Sequence, residues 1–334
     1  MTGNGAAQLT SARGQAMSVN ESGIPYITDV CNFAVGCVKN CGYCWARRLA
    51  YRIGSRTGCA LCKTFVPHVH LRRLSFPRGK PRVIGLGFMT ELLQKKDARW
   101  GDPETGKDIK QTVLLHRLRM LIKDCPMHTF VIPTRNLTLI PEEFQGLRNL
   151  YILGTVTSNI EVYRKPVFAL LRTEPGRLVL NLEPLKTQPG IWEAQRHWKH
   201  LFAERLPGGI ILGGLSGKLA TPLHVDWARE VRDFARHFHI PFYFKQWGQL
   251  QPIGPYYPDT DRVITTEAMP KGSGIRCYEA CGEAPIIHET DWEREWYKPR
   301  PDQNPWWYRR TRSVEETPEL DGKRYTTLPW EMPE

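Results

Sequence analysis

The sequence predicts an α/β fold: a partial or near-complete (β/α) barrel of six to seven parallel strands, followed by a C-terminal extension. Three observations point to it. Apolar runs bounded by Gly or Pro recur at Arg82–Gly87, Thr129–Pro133, Leu150–Thr155, Leu178–Leu182, Gly209–Gly213 and Pro241–Lys245. Such runs read as strands buried on both faces. An additional strand is expected before the first cysteines, near Pro25–Asp29. Helical stripes separate the runs, as in Leu114, Leu118, Leu121 and Ile122, or Trp227, Val231, Phe234 and Phe238 after Asp226. Alternation at this spacing argues for βα units and a parallel sheet. After about Gly248 the rhythm breaks. The expected organisation is a flexible segment over 1–22, the barrel over 23–250, and an extension over 251–334 that covers the barrel and is partly irregular.

Composition narrows the class. The chain has 334 residues, 41% of them hydrophobic, so a sizeable core is feasible. No apolar run approaches the ~20 residues of a membrane span. Met1 to Ser22 lacks the apolar stretch of a signal peptide. A soluble cytoplasmic protein without membrane contact is the expectation. Nine cysteines, an odd count without an export signal, favour metal or cluster ligation over a disulfide framework. The formal charge is +12, and between Trp45 and Arg82 stand ten Lys or Arg and no acid. That block makes a field suited to phosphates, or a solvated basic face.

The most informative segment is Cys37-Val-Lys-Asn-Cys41-Gly-Tyr-Cys44, a C-x3-C-x2-C motif. Thiolates are the standard protein ligands of iron–sulfur clusters. Three of them on one loop can hold three irons of a [4Fe–4S] cube and leave the fourth iron open. A zinc site or buried thiols are the alternatives, although zinc sites more often pair two C-x2-C units. The spacing resembles the signature of the radical S-adenosylmethionine (SAM) superfamily. Tyr43, the aromatic before the last cysteine, fits that pattern, as does a helix expected over Trp45–Ile53. Further segments are similar to a phage-associated, radical-SAM-like family: Phe65-Val-Pro-His-Val-His-Leu-Arg-Arg-Leu74, Leu180-Asn-Leu-Glu-Pro-Leu185, Gly213-Gly-Leu-Ser-Gly217 and Tyr243-Phe-Lys-Gln-Trp-Gly248. Together the matching segments span roughly Cys31 to Gly248. Many members space the first two cysteines more widely. Where that family often reads Ser-Met-x-Asp-Leu-Phe, this chain reads Phe88-Met-Thr-Glu-Leu92, with Glu91 in place of the Asp.

The resemblance implies a radical SAM barrel with its chemistry at the carboxyl ends of the strands, as is general for such barrels. SAM would chelate the open iron. One electron, from a donor such as a flavodoxin or ferredoxin, would then release methionine and a 5′-deoxyadenosyl radical. The phage association and the charge imply a nucleic-acid partner, DNA rather than RNA, in the host cytoplasm if the source is viral. Rearrangement of a hypermodified thymine's side chain, an isomerase-type reaction, would suit radical chemistry, and a base in duplex DNA would have to be flipped out. The alternatives are a free nucleotide, RNA or peptide substrate, or a nucleic-acid-binding protein with a structural cluster or zinc.

Residues at the strand ends are the site candidates. The resemblance implies that Tyr43 packs beside the adenine and that Thr90 and Glu91 contact the SAM amino group. Glu91 also suits a helix N-terminus. Thr155, Thr157, Ser158 and Asn159 could hold the ribose or carboxylate, or cap a helix. Gly213, Gly214 and Ser216 would support the adenine or methionine part, since glycines permit close backbone approach. Glu183 ends an apolar run, so it must be paired or face a polar cavity. Lys245 and Gln246 could contact substrate or close the barrel through a salt bridge, and Arg135 has similar standing. Glu183 and Lys245 are the catalytic candidates. Cys59, Cys62, Cys277 and Cys281 could form a zinc site or second cluster, with His68, His70 and His288 as substitute ligands. They could equally be reduced thiols. Cys31 and Cys125 read as buried. The aromatics Trp292, Trp296, Tyr297, Trp306, Trp307 and Tyr308 alternate with cations, a pattern suited to stacking bases or to covering the barrel's flank.

Overall fold

The computed structural model describes residues 19–39, 41–202, 205–217, 219–255, 275–278, 286–288, 294–296, 306–310, 314 and 317–331. In chain order the principal elements are β1 (Asn20–Glu21), β2 (Asp29–Cys31), β3 (Ala34–Val35), α1 (Trp45–Thr57), α2 (Ala60–Thr64), β4 (His68–Val69), β5 (Val83–Leu86), β6 (Arg99–Asp102), β7 (Lys107–Lys110), α3 (Gln111–Lys123), β8 (Thr129–Thr134), β9 (Leu150–Thr155), α4 (Asn159–Arg172), β10 (Leu178–Leu182), α5 (Ile191–Phe202), β11 (Gly209–Gly213), α6 (Val225–His237) and β12 (Phe242–Gln246).

The main sheet runs β1-β2-β5-β8-β9-β10-β11-β12. β1 pairs antiparallel with β2, and every later pair is parallel. The parallel strands thus follow one another in chain order, each joined to the next by a crossover. The sheet stays open, because among the described residues no ladder joins its two edges. It is nonetheless strongly curled. Seven strands spaced ~4.8 Å apart would make a flat sheet roughly 29 Å wide. Yet the ring of Tyr26, three residues before β2, lies 5.3 Å from that of Tyr243 on β12.

Alternation along the strands fills both faces of this curl. Tyr151, Leu153, Val179, Ile211 and Tyr243 form a concave core. Leu150, Ile152, Leu178 and Ile210 belong to the convex core with helix residues Leu114, Leu118, Ile122, Val231 and Phe234. Segment 317–331, within the predicted extension, lies along β12: Thr317 N donates to Lys245 O at 2.7 Å and Phe244 N to Tyr325 O at 2.8 Å. Its Leu328 is buried in the concave core. Trp330 packs its ring 5.2 Å from Tyr151, near the amino ends of the strands.

Two expectations need correction. The first strand is Asp29–Cys31, sharing only Asp29 with the expected Pro25–Asp29. Proline has no N–H for a ladder, and Ile24 to Ile27 form a turn instead, with Ile27 N donating to Ile24 O. The hairpin β6–β7 was not expected. It joins β3 and β4 in a second sheet, ordered β3-β4-β6-β7. Its turn reads Asp102-Pro-Glu-Thr-Gly106, with Gly106 at φ +67, a position that favours glycine.

In the extension, Leu250–Pro255, Ile275–Tyr278 and Trp306–Arg310 form a three-stranded sheet. Cys281, Trp292 and Tyr297 lie outside the described residues, as do the side chains of Cys277, His288, Trp296, Trp306, Trp307 and Tyr308. The expected flexible segment 1–22 lies outside them up to residue 18. Among the described residues, no helix is long and apolar enough to cross a membrane.

Candidate active site at the carboxyl ends of the strands

The loop of Cys37, Cys41 and Cys44 leaves β3 and ends at the first turn of α1. Gly36 starts it. Its N–H donates to Met89 O at 3.0 Å, and Thr90 Oγ1 donates to Gly36 O at 2.5 Å. The chain passes so close here that a Cβ on Gly36 would meet Val66 O at 2.2 Å, and its φ is +93. Only glycine fits both demands. Cys37 N donates to Phe65 O at 3.3 Å, and Cys44 N to Cys41 O at 3.1 Å. All three thiols are free and partly exposed, and burial raises the Cys37 thiol above its ordinary pKa.

These cysteines and Tyr43 border a cavity of about 430 Å³ whose other walls come from the strand ends: Thr90 and Glu91, Thr134 and Arg135, Thr155, Asn181 and Glu183, Gly214 and Ser216, Lys245 and Gln246. The volume lies within the ~300–1,000 Å³ typical of small-molecule sites. Lys245 Nζ stands 2.8 and 2.9 Å from the two oxygens of Glu183, and Gln246 Nε2 donates to Glu183 Oε1 at 2.9 Å. Glu183 is thus paired, and the ion pair also lines the cavity.

Glu91 is differently placed from a free ligand. Oε1 accepts from Thr134 Oγ1 at 2.6 Å and Oε2 from Arg135 N at 2.8 Å. Burial raises its carboxyl above the ordinary range, against these hydrogen bonds. Glu91 therefore fixes the turn that carries Arg135. That guanidinium reaches Cys41 Sγ at 3.2 Å, Tyr43 OH at 2.8 Å, Thr157 Oγ1 at 3.4 Å and Glu161 Oε1 at 3.2 Å. Burial would raise Glu161, but hydrogen bonds from Lys165 and Thr157 and the charge of Arg135 outweigh it and hold the carboxyl down to about 2. Burial raises the Tyr43 phenol to about 12 although Arg135 opposes it.

The chain belongs to the DUF5131 family. The family model, described as "Protein of unknown function (DUF5131)", matches residues 21–329. No curated protein and no solved structure matches the chain. The DUF5131 span takes in the cysteine loop and every parallel strand whose end lines the cavity.

Four predicted binding residues of this DUF5131 chain, Thr157, Ser158, Asn159 and Gly213, do not line the cavity. Ser158 precedes α4 outside the cavity wall and makes no side-chain capping bond. Thr157 faces Arg135 and Glu161 instead, which turns Ser158 away. Gly213 also does not line the cavity. A Cβ there would meet Glu183 Cδ at 3.1 Å, so this glycine leaves room for the Glu183 side chain. Asn181 was missed. It is 7% exposed, donates to Thr155 Oγ1 at 3.2 Å, and keeps a buried Oδ1 with no partner. Such an atom is costly unless a ligand satisfies it. The signal was the lone amide inside Leu178-Val-Leu-Asn-Leu182.

Three free thiols share one loop, and the adjoining cavity is lined by the orphaned amide oxygen of Asn181 and by the Glu183–Lys245 ion pair. A second group lies behind the loop. Cys59, Cys62, His68 and His70 bring four ligand atoms within 4.8 Å of one another and could hold a metal ion. Among the described residues, His68 and His70 are the partners brought to Cys59 and Cys62. The proposed pairing with Cys277 and Cys281 falls on side chains outside the described residues.

Proposed function

We propose that the protein is a radical SAM enzyme whose [4Fe–4S] cluster is held by Cys37, Cys41 and Cys44, and that it modifies a nucleic-acid base, with DNA as the favoured substrate. The observation that carries this reading is the convergence of three free cysteines with polar residues from the ends of β5 and β8 to β12 on one cavity. When bound, the cluster and SAM would supply a carbon-centred radical able to take hydrogen from an unactivated position. The protein's own residues bind and orient. Glu183 and Lys245 present paired opposite charges to the amino acid part of SAM or to substrate. Asn181 Oδ1 accepts a donor from the ligand. Arg135 donates to Cys41 Sγ, and hydrogen bonds to ligand sulfur are one of the protein's levers on cluster potential.

The substrate class draws support from α1. Arg48 and Arg52 are exposed on this helix beside Trp45 and Tyr51, which are 52% and 60% exposed. Trp45 also lines the cavity. Cations beside open aromatic faces suit phosphates and unpaired bases. A rearrangement of an elaborated thymine side chain, an isomerase-type step, is the reaction this reading favours, with a flavodoxin or ferredoxin as electron donor.

The test is anaerobic reconstitution with iron and sulfide, reduction with dithionite, and assay of 5′-deoxyadenosine with and without single-stranded and duplex DNA. About four irons per chain, with DNA-stimulated 5′-deoxyadenosine that disappears in Cys41→Ala, is the expected result. A folded protein that takes up no iron would overturn the reading. A full cluster that leaves SAM intact in the presence of DNA would reduce it to a structural cluster.

A further inference from the structure

We propose that Cys59, Cys62, His68 and His70 bind one zinc ion, and that this ion is structural, locking the segment on which the Cys37 loop rests. The inference uses residues outside the cavity and stands whether or not the chemistry proposed there is correct.

Spacing is the first ground. Tetrahedral zinc with sulfur at ~2.3 Å and nitrogen at ~2.0–2.1 Å sets its ligand atoms about 3.3 to 3.8 Å apart. Here Cys59 Sγ and Cys62 Sγ lie 3.7 and 3.2 Å from His68 Nε2. His70 Nε2 lies 3.5 Å from Cys62 Sγ and 3.1 Å from His68 Nε2. Those separations surround a single ion. A cluster would not fit among atoms so close.

Tautomers are the second. His68 Nδ1 is 2.7 Å from Val66 O, which can only accept, so that nitrogen carries the proton. His70 Nδ1 is 3.0 Å from Glu104 Oε1, and the same holds. Both Nε2 atoms therefore point bare lone pairs into the same space. Two acceptors at 3.1 Å repel unless a cation lies between them. Backbone carbonyl and carboxylate partners on the far ring nitrogens are the usual outer support of zinc-bound histidines.

Charge and burial complete the case. Cys62 and His68 are 0% exposed and His70 is 3% exposed. Two thiolates and one Zn²⁺ sum to zero, so the loaded site can sit in the core without a net charge. Four protein ligands leave no open position, which marks a structural rather than catalytic zinc. The backbone is drawn tight around the pair. A Cβ on Gly54 of α1 would meet Cys59 O at 2.7 Å and Cys62 Cβ at 2.9 Å. From here the connection to the cysteine loop is direct: Phe65 O accepts from Cys37 N, and His68 pairs in register with Val35.

The test begins with the Cys37→Ala/Cys41→Ala/Cys44→Ala variant, which has no cluster ligands left on that loop. Expressed with zinc, it should carry about one zinc per chain, and cobalt exchanged into it should give the visible bands of a tetrahedral thiolate site. Adding Cys62→Ala should remove that metal, and Glu104→Gln should weaken it by about 10–100-fold in chelator competition. A folded triple variant without stoichiometric zinc would sink the proposal. So would iron in place of zinc, or zinc retained by a folded Cys62→Ala protein. Should Cys62→Ala not fold, the zinc content of the triple variant and the response to Glu104→Gln decide the matter.

Discussion

Replacing Glu183 with Gln probes the cavity most directly. The substitution keeps the shape of the side chain and removes the charge that two Lys245 contacts at 2.8 and 2.9 Å use. At that separation and an effective dielectric of ~20, the gross attraction is roughly 6 kcal/mol. Desolvation of both groups offsets most of it, and they keep 15% and 19% of their exposure. The net cost expected for Glu183→Gln is thus about 1–3 kcal/mol, or a fall in melting temperature of roughly 1–4 °C. Turnover should suffer more, because Lys245 loses the partner that fixes it. Misplacement of a positioning group costs about 100-fold. The assay is 5′-deoxyadenosine formed per chain under reducing, anaerobic conditions, with iron content measured on the same sample. Lys245→Met and the double variant complete a cycle. If the pair acts as a unit, the double variant loses little more than either single one. Turnover of Glu183→Gln within about twofold of wild type would refute the role, since a loss below ~0.5 kcal/mol lies within the scatter of neutral substitutions.

Two further outcomes follow from the geometry. In Gly214→Ala the new Cβ would meet Trp247 O at 2.0 Å, so backbone must move. Thermal or urea unfolding should show a loss of about 3 kcal/mol, against less than about 0.5 kcal/mol for Gly23→Ala, where nothing lies within 4 Å. Glu161 falls from its ordinary 4.5 to about 2 in the fold. Its contribution, at most about 3 kcal/mol, is therefore complete above pH 4.5 and lost as pH drops toward 2. Urea unfolding at about pH 6 and about pH 3 should show the gap between wild type and Glu161→Gln shrinking in acid, and a constant gap would contradict the assignment.

Much of the sheet was legible because its strands are buried on both faces. Leu150–Thr155, Leu178–Leu182 and Gly209–Gly213 coincide with continuous apolar runs. What escaped lacks that signal. β6 and β7 read Arg-Trp-Gly-Asp and Lys-Asp-Ile-Lys, polar enough to pass for a loop, although the turn between them was written plainly. The open curl was also beyond reach, since strand count does not say whether the edges meet. At the site, position after a strand singled out Glu91, Glu183 and Lys245. It could not show that Glu91 spends both oxygens on Thr134 and Arg135. Nor could position in the chain choose among the ligands offered for Cys59 and Cys62, of which the fold brings His68, on β4, and His70, just after it, to the two thiols. Histidines at i and i+2 share a face of a strand, and only the fold aims that face at a thiol.

The seating of Leu328 and Trp330 inside the curl bears on how the protein is made. The parallel strands emerge from the ribosome in their spatial order, so each can pair with its predecessor as it appears. The concave core cannot close in the same way. Tyr26, Tyr151 and Tyr243 all wait for side chains near residue 330. Until those leave the exit tunnel, the inner face and the outer edge of β12 stay open to other chains, and unpaired edges invite aggregation. Slow synthesis of the stretch around residue 330, or a stop codon placed before it, would lengthen that exposure. Newly made chains of this protein should therefore be natural clients for chaperones until Leu328 and Trp330 have emerged.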